Sequence, residues 1–233
     1  DIDAVQDEMP RRGIVPKAVV EGPPSRTCPI LLRQTSFKAI EERVAFPCAE
    51  GKLTRGSHTA RFGEIEQRGI ALTPKGRVLY DRLLNEARAN VRPAADGSNA
   101  QAYCAALQES FAAFPDDWSA IRKAGLGYFL YSVVASADLS NRAGHDIEAL
   151  IEAGAVRFDP IVYEDFLPVS AAGIFQSNLG DAAVQEFVAS PNQKLFEKAL
   201  GAAVLNEFDH YAGIERASIE QCLSAVRTTS VAA

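Results

Sequence analysis

The chain has 233 residues, and 47% of them are hydrophobic, which is enough to bury a core in one domain or in two small ones. Its formal net charge of −6 argues against a nucleic-acid surface, because phosphate binding needs clustered lysine and arginine side chains. No apolar run approaches the roughly 20 residues needed to span a bilayer, and residues 1–12 are too charged for a signal peptide, so we expect a cytoplasmic protein that binds neither nucleic acid nor membrane.

The first part of the chain predicts a short helix followed by a small, mostly antiparallel sheet. Asp1 or Asp3 can cap a helix that continues to about Met9, where Pro10 and the following turn stop it. Turn residues then separate several short strand candidates. The candidates are 17–20, 30–35, a hairpin formed by 44–46 and 52–54, and a longer strand over 57–67. These segments make up a sheet part at about 14–72.

Thr73-Pro74 marks a change from strand to helix, because threonine is a good N-cap and proline is favoured at the first helical position. The predicted helix continues to about Asn90. Its apolar stripe comprises Val78, Leu79, Leu83 and Ala87. Further helices are predicted at about 100–114, with Tyr103, Leu107 and Phe111 in the core, and at 118–123, opened by Asp116 or Asp117.

The last part of the chain mixes strands and helices. Aromatic and β-branched residues predict strands at 127–134 and 156–166, and helices are predicted at 147–153, 182–188, 193–200 and 204–226. A Pro-bounded loop is predicted at 167–173. We find no repeat and no linker, so the expectation is an α+β protein with a single domain over 1–233, whose helical and mixed part covers about 73–233.

The strand over 57–67 carries an unusual number of charged side chains. Regular alternation would place His58, Ala60, Phe62, Glu64 and Glu66 on one face, and such a face can hold a metal. A carboxylate on an inward face must be paired or bound to metal, because burying it bare costs several kcal/mol. The alternatives are an edge strand whose polar face meets water, and a salt bridge from Glu64 to Arg61, Arg33 or Lys38.

Four segments together resemble a known family. They are Glu21-Gly-Pro-Pro24, Ile30-Leu-Leu-Arg-Gln-Thr-Ser-Phe-Lys-Ala39, Gly56-Ser-His-Thr-Ala-Arg-Phe-Gly-Glu-Ile-Glu-Gln-Arg-Gly69 and Tyr163-Glu-Asp-Phe-Leu-Pro-Val-Ser-Ala-Ala-Gly-Ile-Phe-Gln-Ser-Asn-Leu179. The chain resembles the 2-oxoadipate dioxygenase/decarboxylase family, also called hydroxyglutarate synthase. Members are about twice as long, and this chain is similar to their C-terminal half. The resemblance implies a vicinal-oxygen-chelate-like fold, a curved and mostly antiparallel sheet with added helices and a helical C-terminal part.

The resemblance implies an Fe(II) centre held by two histidines and one glutamate. It assigns the glutamate to Glu64, the first glutamate of Phe-Gly-Glu-Ile-Glu, as both metal ligand and catalytic residue. Glu66 is the competing assignment. Both histidines would precede Asp1, in an N-terminal half that this chain lacks. That half is therefore an expected partner, and this chain alone is expected to be inactive.

Substrate contacts are also implied by the resemblance. Val169 and Ser170 in the loop 167–173 are expected to bind the substrate acid, and His58 is a candidate supporting group near the metal. Further candidates to neutralise a dicarboxylate are Arg33, Gln34, Ser36, Lys38 and Arg61. Any of these five side chains can equally belong to a lattice of structural hydrogen bonds.

The implied reaction converts 2-oxoadipate and O2 to 2-hydroxyglutarate and CO2, a step of lysine breakdown. One oxygen atom ends in the new carboxylate and the other in the hydroxyl group, so no separate 2-oxo-acid cosubstrate is needed. Three alternatives remain open. They are a related oxygenase acting on another 2-oxo acid, a non-catalytic interaction module, and a metal-dependent isomerase or lyase that does not use O2.

Overall fold

The computed structural model describes residues 1–48, 51–94, 97–139, 142, 144–164 and 197–232. Within these residues, the helices are α1 Ile2–Arg11, α2 Pro74–Asn90, α3 Ala100–Phe111, α4 Trp118–Lys123, α5 Ile147–Glu152 and α6 Glu207–Ala232. The strands are β1 Val15–Pro16, β2 Leu32–Pro47, β3 Leu53–Arg68, β4 Phe129–Val133 and β5 Val156–Pro160. The described residues thus combine helices with antiparallel sheets, as predicted. None of their helices is long and apolar enough to cross a membrane.

The chain divides into two compact units. The first comprises Asp1–Arg68 and Tyr80–Phe114, and the second comprises Gly69–Leu79 and Pro115–Ala233. Neither unit is a continuous piece of the chain, because α2 begins in the second and ends in the first. The predicted boundary near residue 72 therefore lies close to one of the crossing points, and the single domain over 1–233 stays a prediction.

The first unit contains an antiparallel sheet in the order β1-β2-β3. The predicted strand segments fuse into one hairpin of two 16-residue strands, closed by a hydrogen bond from the Cys48 amide to the Lys52 carbonyl (2.8 Å). The strand predicted at 17–20 is wrong. Its place is taken by the two-residue β1 and by an isolated bridge between Glu21 and Gln34, because Pro16 cannot donate to a ladder.

Local signals at the helix ends are confirmed. The Asp1 carboxylate accepts from the amides of Asp3 and Ala4 (both 3.1 Å) and caps α1. Pro10 lies in the last turn, and the helix ends one residue after it. The Thr73 hydroxyl accepts from the Gly76 amide (3.1 Å) at the start of α2, as the Thr-Pro pair predicts.

The buried stripe of α2 differs from the prediction by one position. Tyr80, Leu83 and Ala87 are buried, whereas Val78 is 71% exposed, so its assignment to the apolar stripe is wrong. Positions 76, 80, 83 and 87 keep helical spacing on one side, and Val78 falls outside that side. The predicted core residues of α3 are buried, and the rings of Tyr80 and Phe111 meet edge to face at 5.5 Å.

In the second unit, α6 covers one edge of β4. β4 pairs with β5, so its other edge offers amides that need acceptors. Glu215 accepts from the Phe129 amide (2.9 Å), and the Ser218 hydroxyl accepts from the Tyr131 amide (3.0 Å). These two side chains, three residues apart on one helix, satisfy alternate amides of the strand and protect its edge.

Gly76→Ala is expected to lower the free energy of unfolding by about 2 kcal/mol, because overpacking against backbone cannot relax easily. A Cβ at residue 76 would lie 1.9 Å from the Leu126 carbonyl oxygen. Gly213→Ala in the middle of α6 is the matched control, since a Cβ there meets nothing within 4 Å. It should raise the free energy of unfolding by about 0.5–1 kcal/mol through helix propensity. Urea unfolding of both variants measures the difference, and equal effects would contradict this packing.

Candidate functional site

The candidate site lies where β2 and β3 pair irregularly in the first unit. Thr35 is opposite Ile65, but Phe37 is opposite Phe62. One residue of β2, Ser36, therefore faces two residues of β3, Gly63 and Glu64. This is a β-bulge, in which the bulged strand bends and its side chains are re-aimed. The proposed metal ligand sits in this bulge.

A second irregularity lies next to the first. Lys38 is opposite Arg61 and Ile40 is opposite Ala60, which leaves Ala39 as an extra residue on β2. The two insertions, one on each strand, compensate each other and restore the original register. Because the bulge interrupts the period of two, strand positions 62 and 66 are out of phase. The regular alternation on which the shared face of His58, Ala60, Phe62, Glu64 and Glu66 was predicted therefore does not continue through the bulge.

Glu66 has a local partner. Its carboxylate accepts from Nη2 and Nε of Arg68 at 3.0 and 3.1 Å, and the Glu66 side chain is 21% exposed. An exposed ion pair two residues apart on a strand end contributes little to stability. Glu66 is the alternative to Glu64 as metal ligand, and its carboxylate is bound by Arg68.

Arg33 is a structural cation. Its guanidinium is buried and binds both carboxylate oxygens of Asp3, at 2.7 and 2.6 Å. It also donates to the Pro23 carbonyl (3.1 Å) and to Oε1 of Gln67 (3.0 Å). The hydrogen-bonded Arg33 lowers the pKa of the Asp3 carboxyl. Arg33 was a candidate either for substrate binding or for structural hydrogen bonds, and its contacts are those of a structural residue. Through them Arg33 connects α1 to both strands of the hairpin.

A buried polar layer surrounds the β2 side of the bulge. Thr35 is fully buried, and its hydroxyl donates to Oε1 of Gln6 (2.7 Å). Lys17 pairs with Glu21, and its amide donates to the Ser36 carbonyl (2.8 Å). Gln34 is also buried. Contacts from α1 and the segment after β1 therefore hold the strand directly opposite Gly63 and Glu64.

The remaining candidates are placed only through the backbone. Lys38 and Arg61 form a cross-strand pair beside the bulge, and His58 pairs with Glu42 farther along the hairpin. His58 is thus separated from Glu64 by the second register shift. Val169, Ser170 and the predicted loop 167–173 lie outside the described residues.

The described residues contain no group of three or more His, Cys, Asp or Glu side chains that could hold a metal ion. A three-ligand Fe(II) centre needs two histidines and a carboxylate on one side of the metal. The side chain of Glu64, the expected carboxylate ligand, lies outside the described part of the structure.

A family model described as 2-oxoadipate dioxygenase/decarboxylase matches residues 1–178. The chain belongs to the 2-oxoadipate dioxygenase/decarboxylase family. A curated member of this family from Pseudomonas putida is 54% identical over 99% of this chain, and one from Escherichia coli K12 is 50% identical over 95%. These alignments cover 50% and 48% of the relatives. The chain thus spans about half the length of the curated relatives that it matches.

The chain is also similar to solved structures. The hydroxyglutarate synthase from Pseudomonas putida, solved in complex with 2-oxoadipate, superposes with a TM-score of 0.76 at 50% sequence identity. The superposition covers 97% of this chain and 49% of that one. An uncharacterized protein from Shigella flexneri superposes with a TM-score of 0.68 at 44% identity, covering 95% and 46%.

Sequence reasoning missed the bulge at Glu64 and the role of Asp3. A signal for the bulge was present, since a glycine inside a strand, here Gly63, often marks one. The Asp3–Arg33 pair joins residues 30 positions apart, and no local pattern announces such a contact. Both features concern how the strand that carries Glu64 is held.

Asp3→Asn is expected to lower the free energy of unfolding by about 1–2 kcal/mol at pH 7, because buried Arg33 loses its charged partner while half-exposed Asp3 is partly screened. The folded pKa of Asp3 is lowered, so the stability it contributes is complete above about pH 4, its unfolded pKa, and disappears as the pH falls through the folded value. Urea unfolding at several pH values should show the two proteins converging in acid.

The control for Asp3→Asn is Glu8→Gln on the same helix. Glu8 pairs with Arg11 and Arg12, whose side chains are 74% and 72% exposed. This substitution should change the free energy of unfolding by less than about 0.5 kcal/mol. A loss in Glu8→Gln equal to that in Asp3→Asn would show that α1 is sensitive to any lost charge, rather than to the contact with Arg33.

Proposed function

We propose that this chain forms part of an Fe(II)-dependent oxygenase that converts 2-oxoadipate and O2 to 2-hydroxyglutarate and CO2. One observation carries the proposal, the superposition on a hydroxyglutarate synthase solved with 2-oxoadipate at a TM-score of 0.76 and 50% identity. At 50% identity, the two proteins share a family as well as a fold. Because the chain covers about half of the relatives, we propose that the activity belongs to the longer protein.

We propose Glu64 as the carboxylate ligand of the iron. Its position in a β-bulge supports this role, because bulges near active sites re-aim a side chain out of the regular ladder. Glu66 is less suited, since its carboxylate pairs with Arg68. The two histidine ligands and the rest of the centre would come from the half that this chain does not match. When bound, iron of this ligand type supplies open positions for a 2-oxo acid and O2.

The substrate acid would be bound by the main chain around Val169 and Ser170. In the sequence a proline, Pro168, immediately precedes them. A proline ring fixes its own φ, and preorganised amides suit a carboxylate. Lys38, Arg61, Ser36 and Gln34 remain candidates from the neighbourhood of the bulge. His58 remains a candidate supporting group, although the second register shift separates it from Glu64. Arg33 is less suited to bind the substrate directly, because both carboxylate oxygens of Asp3 already accept from its guanidinium.

Three finer assignments belong to the same proposal. The sheet around the iron would have a vicinal-oxygen-chelate-like curvature, built by strands from both halves of the longer protein. The reaction would serve lysine degradation. It would take place in the cytoplasm, in keeping with a described chain that has no membrane-spanning helix.

The test is oxygen uptake coupled to CO2 release. A full-length family member supplied with Fe(II) and 2-oxoadipate should consume one O2 per CO2 formed and yield 2-hydroxyglutarate. A panel of 2-oxo acids of different lengths separates this substrate from a related one. CO2 release or isomerisation without oxygen uptake would overturn the oxygenase and favour a metal-dependent lyase or isomerase.

A further inference from the structure

In the part of the chain that the structure describes, both faces of the distal half of the β2–β3 hairpin are exposed. We call residues 43–57 the distal ribbon. Its described residues are exposed except for Val44, which is half-buried. Because side chains alternate between the faces of a ribbon, exposure of consecutive residues means that both faces are open. The proximal half differs, since Arg33, Gln34 and Thr35 are buried.

The distal ribbon carries large apolar side chains in this open position. Phe46 is 47% exposed and Leu53 is 68% exposed. The Phe46 ring lies across from Gly56, where a Cβ would come within 2.9 Å of the ring. An isolated two-stranded hairpin is only marginally stable in water and usually needs a third strand or a packed face. The ribbon therefore has the properties of a surface that another part of a protein covers.

Two further observations describe the covering surface. In the described sheet β3 is an edge strand, so the backbone groups on its outer side, those of alternate residues along a 16-residue strand, are available for pairing. The sequence of the ribbon is also basic, with Arg43, Lys52 and Arg55 against one acidic residue, Glu50, on a chain whose net charge is −6. Two copies of a basic ribbon would repel each other if they paired edge to edge. A partner with apolar and acidic side chains fits better.

The family relatives contain additional polypeptide that could cover the distal ribbon. This chain matches 50% of the Pseudomonas putida relative, so an equal length of polypeptide accompanies the matching half. We infer that the distal ribbon is the docking surface for that non-matching half, through the open edge of β3 and the side chains of Phe46 and Leu53. This inference rests on family membership and on exposure, and it holds whichever 2-oxo acid the enzyme uses.

Hydrogen exchange in the intact Pseudomonas putida relative and in this chain tests the docking. We expect amides aligned with residues 43–57 to exchange about tenfold or more slowly in the intact relative than in this chain. The segment 118–133 in the second unit is the internal control and should change much less. Equal exchange of the ribbon in the two proteins, or equal slowing of ribbon and control, would overturn the inference. Activity is not measured, so this result is independent of the proposed reaction.

A pair of variants tests the side chains. This chain is co-expressed with the non-matching half of the relative, and the complex is quantified by analytical ultracentrifugation. Leu53→Asp should weaken the complex about tenfold or more, as loss of a central apolar contact does. Val78→Asp is the control, because Val78 is 71% exposed but lies on α2. Equal weakening by both variants would overturn the inference. It would also be overturned if this chain formed no complex with the other half but formed a dimer that Leu53→Asp abolishes.

Discussion

Glutamine at the position of Glu64 in a full-length family member is expected to abolish iron retention and turnover while leaving the fold intact. The substitution keeps the side-chain volume but removes the anionic carboxylate from the two-histidine, one-carboxylate ligand set of a non-haem ferrous ion. Loss of a group that merely supports a ligand costs about 10–100-fold in metal affinity, so loss of the ligand itself should cost more. Iron content after gel filtration and oxygen uptake with 2-oxoadipate measure the effect, and circular dichroism checks the fold.

Glu66→Gln is the matched control for this experiment. It lies two residues away on the same strand, and its carboxylate pairs with the partly exposed Arg68. Removing that pair should cost at most about 1 kcal/mol of stability and leave iron content near the wild-type level. If Glu66→Gln lost iron and Glu64→Gln retained it, the ligand would have been assigned to the wrong glutamate of the Phe-Gly-Glu-Ile-Glu motif.

The second large effect concerns this chain by itself, which we expect to bind Fe(II) weakly, without one-to-one stoichiometry and without turnover. The proposal places only one of the three iron ligands in this chain. A single carboxylate in water competes poorly with hydration of the ion. Calorimetric titration of the chain with Fe(II) under anaerobic conditions gives the binding stoichiometry directly.

Co-expression with the non-matching half of the Pseudomonas putida relative provides the positive control. The complex should recover one iron per pair and oxygen uptake with 2-oxoadipate, whereas the Glu64→Gln complex should recover neither. Tight one-to-one binding of iron by the chain alone, accompanied by turnover, would show that a complete centre lies within these residues and would refute the division of ligands.

Local signals allowed much of the fold to be predicted. The caps at Asp1, Thr73 and Asp117, together with the apolar spacing in α3, predicted helices that the structure contains. The hairpin turn near Gly51 was predicted for the same reason, since its signal lies within a few residues of chain. The family resemblance rested likewise on continuous motifs, and the match to residues 1–178 confirms it.

Contacts between distant residues decided the candidate site. The alternation pattern placed Glu64 in a regular strand, but the register of β2 against β3 puts it in a bulge opposite Ser36. Period-two reasoning considers one strand at a time, whereas a bulge is a mismatch between two. Arg33 was an open candidate for substrate binding until the fold brought Asp3 against it.

The sequence by itself determined the helix ends, the antiparallel hairpin and the family, because each depends on the chemistry of neighbouring residues. Tertiary structure decided the strand register at Glu64, the pairing of Arg33 and the exposure of the distal ribbon. These depend on which distant segments pack together, and the free energy of a buried ion pair or a covered face arises only when they meet.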